Sequence, residues 1–375
     1  MFSRRPGARN NRGRIATGGG GAAAVEATGT LQAVSEPATS SFTGAVGINA
    51  SARVQVAQAV ITLGGTMLAT GGGPAVTLTG TLLFGAGLAP GIKVEITTNG
   101  TAGAGGAFRV SYDSGATWAH SGVTPIPATY ALDGAAEGAT LNFSGAYTTS
   151  HSYEGTVATI RSTEGNSYTF TQATAASQPV LVKAAGWSGG QDALRGSGGA
   201  VGLHSTDAAL VALITNDPAL TTMGRVHYNA LDATAYWFCA GDSAQSANRT
   251  RRFGQNVAGA GRCRQTSTND AAGATLATGL STPDPNYPNA LHTECWKNVG
   301  ANGAVTLMVD DASVGLDVAT QNVGTLTPTR VSLLTEGDSA PANGHNGYLT
   351  DFALFNSALP AADITMWHNK MVAGT

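Results

Sequence analysis

Gly344-His-Asn-Gly-Tyr-Leu-Thr-Asp-Phe-Ala-Leu-Phe-Asn-Ser-Ala-Leu-Pro-Ala-Ala-Asp-Ile-Thr-Met-Trp-His368, near the end of the chain, decides the architecture. From Tyr348 to Phe355 it alternates as a strand does, with Tyr348, Phe352 and Leu354 on one face and Leu349, Ala353 and Phe355 on the other. Both faces are apolar, which predicts a central strand. Pro360 then sets φ for a helix start, and Asp363 sits in the first turn, where the helix dipole favours an anion. Ile364, Trp367 and Met371 recur at helical spacing. A buried strand thus leads into one short amphipathic helix.

This strand and the Ala-Leu-Pro-Ala-Ala-Asp-Ile helix start resemble the closing segment of laminin-G-like, concanavalin A-like jelly rolls. In that family a Leu-Ser-x-x-Glu-Ile turn is common and its Ser caps the helix; here Pro360 stands in that place, so the side-chain cap is missing. Upstream, His292-Thr-Glu-Cys-Trp296 followed by Val305-Thr-Leu-Met-Val-Asp-Asp311 is similar to the family's Trp- and His-bearing strand paired with one that ends in an Asp turn. The resemblance runs from about Gln178 to the C-terminus and implies a jelly roll over residues 174–375. Further strands are predicted at Gly224–Tyr228, Ala235–Ala240, Thr250–Gly254, Gly261–Thr266 and Arg330–Thr335. Asp207–Ile214 reads as a helical turn or a strand.

Composition agrees with an all-β chain. Of 375 residues 51 are Gly and only 11% are charged, too few charges for a typical helical enzyme. Turn signals recur about every 8–12 residues, as in sandwiches of short strands. No apolar run approaches the roughly 18 residues that read as a membrane span, and the basic N-terminus is followed by Gly rather than a hydrophobic core. The expectation is a soluble chain, without membrane contact, that is not exported by a signal peptide.

Residues 76–173 read as a small antiparallel β-sandwich. Val76-Thr-Leu-Thr-Gly80 and Ile92-Lys-Val-Glu-Ile-Thr-Thr98 alternate, and Ala107-Phe-Arg-Val-Ser-Tyr-Asp-Ser-Gly-Ala-Thr-Trp118 reads as strand, turn, strand. Thr129–Leu132, Ala139–Phe143 and Tyr168–Thr171 complete it. The ordered string Glu95-Ile-Thr-Thr-Asn-Gly-Thr-Ala-Gly103, Phe108 to Trp118, Ala128-Thr-Tyr-Ala-Leu132 and Leu141-Asn-Phe-Ser-Gly-Ala-Tyr147 resembles a small β module of tailed-bacteriophage structural proteins. That family continues Gly-Asp-x-Tyr directly into its last strand. Here Ser150-His-Ser-Tyr153 leads instead to an extra segment, 154–166, which is a candidate contact loop. The resemblance implies a virion component made in the host cytoplasm, with other virion proteins as partners.

Residues 1–75 read as an extended Gly-rich arm with short β pieces such as Arg53-Val-Gln-Val56 and Ala59-Val-Ile-Thr-Leu63, available to pair with a neighbouring subunit's sheet. Arg4, Arg5, Arg9, Arg12 and Arg14 give it +5, leaving 15 basic against 23 acidic groups elsewhere, net −8. The arm reads either as virion anchoring through an acidic surface or as a solvated tail. Its Arg spacing fits no folded nucleic-acid recognition module, so nucleic acid is not the expected partner. Such arms are compatible with homo-oligomers, a trimer among them.

No catalytic residue is expected. The Glu-x-Asp-x-Glu pattern by which concanavalin-like glucanases bring two carboxylates together is absent, and Glu294 reads as a cross-strand or solvent-facing polar position. Gly-x-Ser-x-Gly, His-Glu-x-x-His and phosphate-loop patterns are missing too. Asp113 reads as a turn residue rather than a metal ligand, and no cofactor is implied. Cys239, Cys263 and Cys295 lack Cys-x-x-Cys spacing; a Cys239–Cys263 bridge and buried thiols are both open, the latter favoured.

For a glycan or a partner subunit the candidates are Arg249, Arg251, Arg252, Arg262 and Arg264 on adjacent predicted strands, with Asp242, Gln245, Asn248, Tyr287, Asp338, Asn343 and His345 in end loops. A solvated face balanced by carboxylates is the alternative for the Arg cluster. Trp187, Trp237, Trp296 and Trp367 are assigned to the core. Two functions follow: a peripheral virion protein whose jelly roll binds host-surface polysaccharide, or a decoration protein that contacts only other virion proteins.

Overall fold

The structure, a computed structural model, describes residues 49–80, 89–165, 167–216, 218–229, 235–241, 251–256, 262–268, 275–280, 290–300, 305–314, 327–336 and 344–375; of 251–256, 262–268 and 275–280 it describes the backbone alone. The chain is all-β, with antiparallel sheets that form sandwiches. Residues 1–48, with the five arm arginines, lie outside the described residues, and Asn49–Thr375 forms one compact unit.

The terminal strand, Asn346–Phe355, is central, as its two apolar faces predict. Along one side runs Ala219–Tyr228; the other side is shared end to end by Ala193–Ser197, opposite residues 346–349, and Ala52–Gln55, opposite residues 351–354. Between Asp351 and Leu349 the register against Ala219–Tyr228 slips by one residue, so Thr350 is the extra residue of a bulge. The slip corrects the expected division of faces. Leu349, not Tyr348, joins Phe352 and Leu354 in the main core, while Tyr348 turns to the outer face.

The sheet continues from Ala219–Tyr228 through Leu291–Val299 and Val305–Val309 to Ala312–Val314. The opposing sheet runs Ile61–Leu63, Val157–Arg161, Thr169–Thr171, Leu203–Ser205, Arg330–Leu333, Ala235–Gly241, Arg251–Asn256, Arg262–Thr268, Thr275–Leu280. Trp237, Phe238, Phe170, Trp296 and Phe352 fill the space between them, with Phe238 and Phe352 stacked at 5.4 Å. Asp207 caps the short helix Ala208–Ala212, its carboxylate accepting from the Ala209 and Leu210 amides.

The helix Ala361–Ala373 covers the outer face of the first sheet. Ile364, Trp367 and Met371 pack over Met223, Cys295, Ala353 and Phe355. Pro360 occupies the N-cap without a side-chain bond, as expected, and Gly374, at φ 69°, closes the C-terminus in the left-handed conformation that glycine adopts at little cost.

Strand pairing redraws the expected boundaries at 75 and 173. Ala52–Gln55 and Ile61–Leu63 are strands of the large sandwich in their own chain, so Arg53-Val-Gln-Val56 is not left over for a neighbouring subunit. The chain leaves the large sandwich after Leu63 and returns at Val157, with the Gly64 amide donating to the Thr156 carbonyl at 2.7 Å where the two crossings meet. Between them lies the small sandwich, whose core joins Val76, Val94, Phe108, Val110, Leu141 and Tyr153. The expected contact loop 154–166 holds the strand Val157–Arg161, and Phe170 belongs to the large core. Local patterning finds strands but carries no signal for partners far away in the chain, which is why these boundaries shift.

One buried cation explains why the first strand seats where it does. Arg53, 2% exposed, places Nη2 2.6 Å from Asp351 Oδ2 and Nη1 2.8 Å from Glu164 Oε1, and donates to the Thr375 carbonyl at 2.7 Å. Its guanidinium also lies 5.1 Å from the Trp367 ring centroid. Burial disfavours the charge, but Asp351 and Glu164 outweigh it and hold the guanidinium above its usual pKa. First strand, terminal strand and chain end are thereby joined at one residue.

Candidate functional site

The residues expected at a glycan site are not brought together as a group. Asp242, Gln245, Asn248, Arg249, Tyr287, Asp338 and Asn343 lie outside the described residues. Arg251–Asn256 and Arg262–Thr268 are adjacent strands, with Arg252 opposite Thr266, Gly254 opposite Arg264 and Asn256 opposite Arg262. By the pleat, positions 252, 262 and 264 share one face of this ladder and position 251 takes the other.

His345 is corrected from loop contact to core. It is fully buried, with Nε2 3.0 Å from the His227 carbonyl oxygen, and burial lowers its pKa to about 4, so it is neutral at pH 7. Glu294 is corrected as well, since it faces inward. Its carboxylate accepts from the Tyr228 hydroxyl at 2.7 Å, the Trp237 indole at 2.8 Å and the Trp296 indole at 3.3 Å. Across the ladder stands Gly224, where a Cβ would come within 2.6 Å of the Trp237 ring. A buried carboxylate kept by hydrogen bonds to two tryptophans and a tyrosine fixes the core aromatics in place; it is not aimed at a substrate. Cys239 and Cys295 are buried thiols, and Cys239 is not bridged to Cys263.

Trp187 departs from the core assignment and marks a surface site. It sits in the connection between Val180–Val182 and Ala193–Ser197, a hairpin closed at its base by the Lys183–Asp192 ion pair and by the Ala184 amide donating to Asp192 at 2.9 Å. Its indole N–H donates to the Gln191 carbonyl at 2.6 Å, and its ring stacks on Tyr348 at 4.1 Å with 16° between planes. His227 meets both rings edge-on, at 5.8 and 5.4 Å. Trp187 and Tyr348 are each half-buried, so the pair keeps aromatic surface in contact with solvent.

Polar groups border this surface. Arg195, opposite Tyr348 in the ladder, forms a two-pronged ion pair with Glu154 of the small sandwich. Burial works against the Arg195 charge, and Glu154 overcomes it and holds the pKa above the ordinary value. On the other side the Asn229 amide donates to the Asn346 side-chain oxygen at 3.1 Å. The arrangement offers an aromatic face with hydrogen-bonding groups on two sides and a charge already neutralised. The bulge at Thr350 put Tyr348 there. The sequence alone assigned Trp187 to the core and Tyr348 to a face of the terminal strand and placed neither at a site; the place of Trp187 in Gly186-Trp-Ser-Gly-Gly190, rather than in an alternating strand, was the available signal.

No family model matches the chain. No curated protein matches it either. Among solved structures it is similar to the IT-sialidase CBM40 of Ruminococcus gnavus bound to α2,3-sialyllactose, at 11% identity and a TM-score of 0.39 over 47% of this chain and 96% of that one. It is also similar to botulinum neurotoxin type C, in a structure concerned with its interaction with two ganglioside molecules, at 13% identity and a TM-score of 0.41 over 56% of this chain and 48% of that one. The receptor-binding domain of botulinum neurotoxin type G matches at 10% identity and a TM-score of 0.38 over the same shares. At these values what those proteins bind does not transfer to this chain.

Proposed function

We propose that the chain is a non-enzymatic peripheral protein of a tailed-phage virion that binds host-surface polysaccharide through its large sandwich. The observation that carries the binding half is the half-buried Trp187–Tyr348 stack bordered by Arg195–Glu154 and Asn229–Asn346. The C–H faces of a sugar ring pack against aromatic surface, and its hydroxyls take the polar borders. The virion half is supported by the resemblance of residues 76–171 to the phage β module and by the basic arm, which would anchor the chain to other virion proteins.

The test is binding of the full chain to host cells with and without their surface polysaccharide, beside Trp187→Ala. Saturable binding that disappears with the polysaccharide and weakens about ten-fold or more in Trp187→Ala supports the reading; ten-fold corresponds to about 1.4 kcal/mol, within reach of one aromatic contact. A folded chain that does not bind would shift the function to decoration of the particle.

A further inference from the structure

The two strands that share one edge of the terminal strand do not close the gap between them. Where they meet, at the bulged Thr350, a cleft of about 230 Å³ opens. Gln55 and Ala57, at and beyond the end of the first strand, line one wall; Gln191 and Asp192 line another; Asp351 and the helix end at Gly374 complete it.

The charges of this cleft are spent. Asp351 is forked by Arg53, and Asp192 is held by Lys183 and the Ala184 amide. The Gln191 side chain donates to the Met371 and Val372 carbonyls. Gln55 is different. It is 2% exposed, and both its amide nitrogen and its amide oxygen are buried without a hydrogen-bond partner among the described residues. A buried amide with neither group satisfied is costly, and native structures rarely keep one without a use.

An amide offers a donor and an acceptor side by side, and two adjacent hydroxyls answer both. Both carboxylates are already ion-paired, so among the described residues the cleft offers an anion no unpaired cation and an ammonium no unpaired carboxylate. At about 30 Å³ per water the space holds several waters, and so has room for one small ring. The same connection that carries Trp187 to the aromatic stack carries Gln191 and Asp192 to the cleft. We infer that the cleft is a subsite for one neutral sugar residue of the polysaccharide bound at Trp187–Tyr348, an inference that rests on the glycan reading.

Calorimetry on the full chain tests it, with the methyl glycosides of glucose, galactose, N-acetylglucosamine and rhamnose as probes and free sialic acid as the charged counter-probe. Gln55→Leu removes the amide at similar volume, and Ala57→Leu fills the cleft; thermal unfolding of each is checked first. The expected result is one-to-one binding of at least one neutral glycoside, weakened about ten-fold or more by either variant, with a parallel loss of polysaccharide affinity. If wild type and both variants bind polysaccharide equally and no glycoside binds, water fills the cleft and the subsite is overturned while the glycan reading stands. Binding of sialic acid alone also overturns it. Glycoside binding that depends on Gln55 without any polysaccharide binding supports the cleft and removes the surface reading; no binding of either kind removes both.

Discussion

His345 and His204 show how the environment of one residue reaches the stability of the whole. Burial holds both imidazoles near a pKa of about 4, with the Arg330 charge adding to the effect at His204, whereas the unfolded chain titrates near 6.5. Below about 6.5 the unfolded state takes up protons that the folded state refuses. Their contribution is therefore complete above that pH and is lost as pH falls toward about 4. Between pH 7.5 and 5 denaturant titrations should show a loss of about 2 kcal/mol per histidine. An unfolding free energy flat over this range would mean that both rings are hydrated. Neither burial was legible beforehand. His345 stands in a Gly- and Asn-rich segment that reads as loop, and only the close approach at Gly347, where a Cβ would come within 1.8 Å of the His227 carbonyl oxygen, brings it under the sheet. Glu294 was misread for a related reason: alternation places it on a face, but nothing local says that Tyr228 and Trp237 supply donors there.

The terminal strand and helix were legible almost entirely, because apolar alternation, Pro360 and the 3–4 spacing of Ile364, Trp367 and Met371 are local signals. The bulge at Thr350 was not, since it is set by the register of a partner strand more than a hundred residues upstream. The first strand was assigned to an arm for the same reason. What seats it is the ion cluster of Arg53, and Arg53→Met should leave the Asp351 carboxylate buried and unpaired, costing about 3–5 kcal/mol in urea unfolding. Adding Asp351→Leu should recover more than half of that loss. A double variant as unstable as the single one would show that the guanidinium acts mainly through Glu164 and the chain end.

For the whole molecule, strand pairing places Ala52–Gln55 and Ile61–Leu63 in the large sandwich, so the unit Asn49–Thr375 takes in residues that the sequence alone assigned to the arm. Removal of residues 1–48 should leave the thermal unfolding of the remainder unchanged and, under the virion role proposed above, abolish incorporation into particles. Removal of residues 1–75 takes away two strands and Arg53 and should leave the large sandwich unable to fold, read by circular dichroism and proteolysis. If the shorter deletion unfolds the protein, the arm belongs to the fold rather than to anchoring. The all-β class and the two sandwiches were readable from composition and alternation; that one is inserted into the other was not, because insertion is a statement about which strands pair across the whole chain. The Trp187–Tyr348 surface was not read from the sequence: Trp187 was assigned to the core although its glycine-rich connection was a signal against that, and the outward turn of Tyr348 depended on the bulge.

Arg53 and Asp351 lie 298 residues apart in the chain, and this has a consequence in time. At about 5–20 residues per second on the ribosome, the first strand waits roughly 15–60 s for its partner to be made. The small sandwich, whose strands all lie between residues 68 and 154, is complete long before then and can fold while synthesis continues. Glu164–Gly165, the partner on its other edge, is made much earlier, so it is the edge reserved for the terminal strand that stays unpaired through that wait, and the small sandwich is a nearby body that can shield it from other chains on the same messenger.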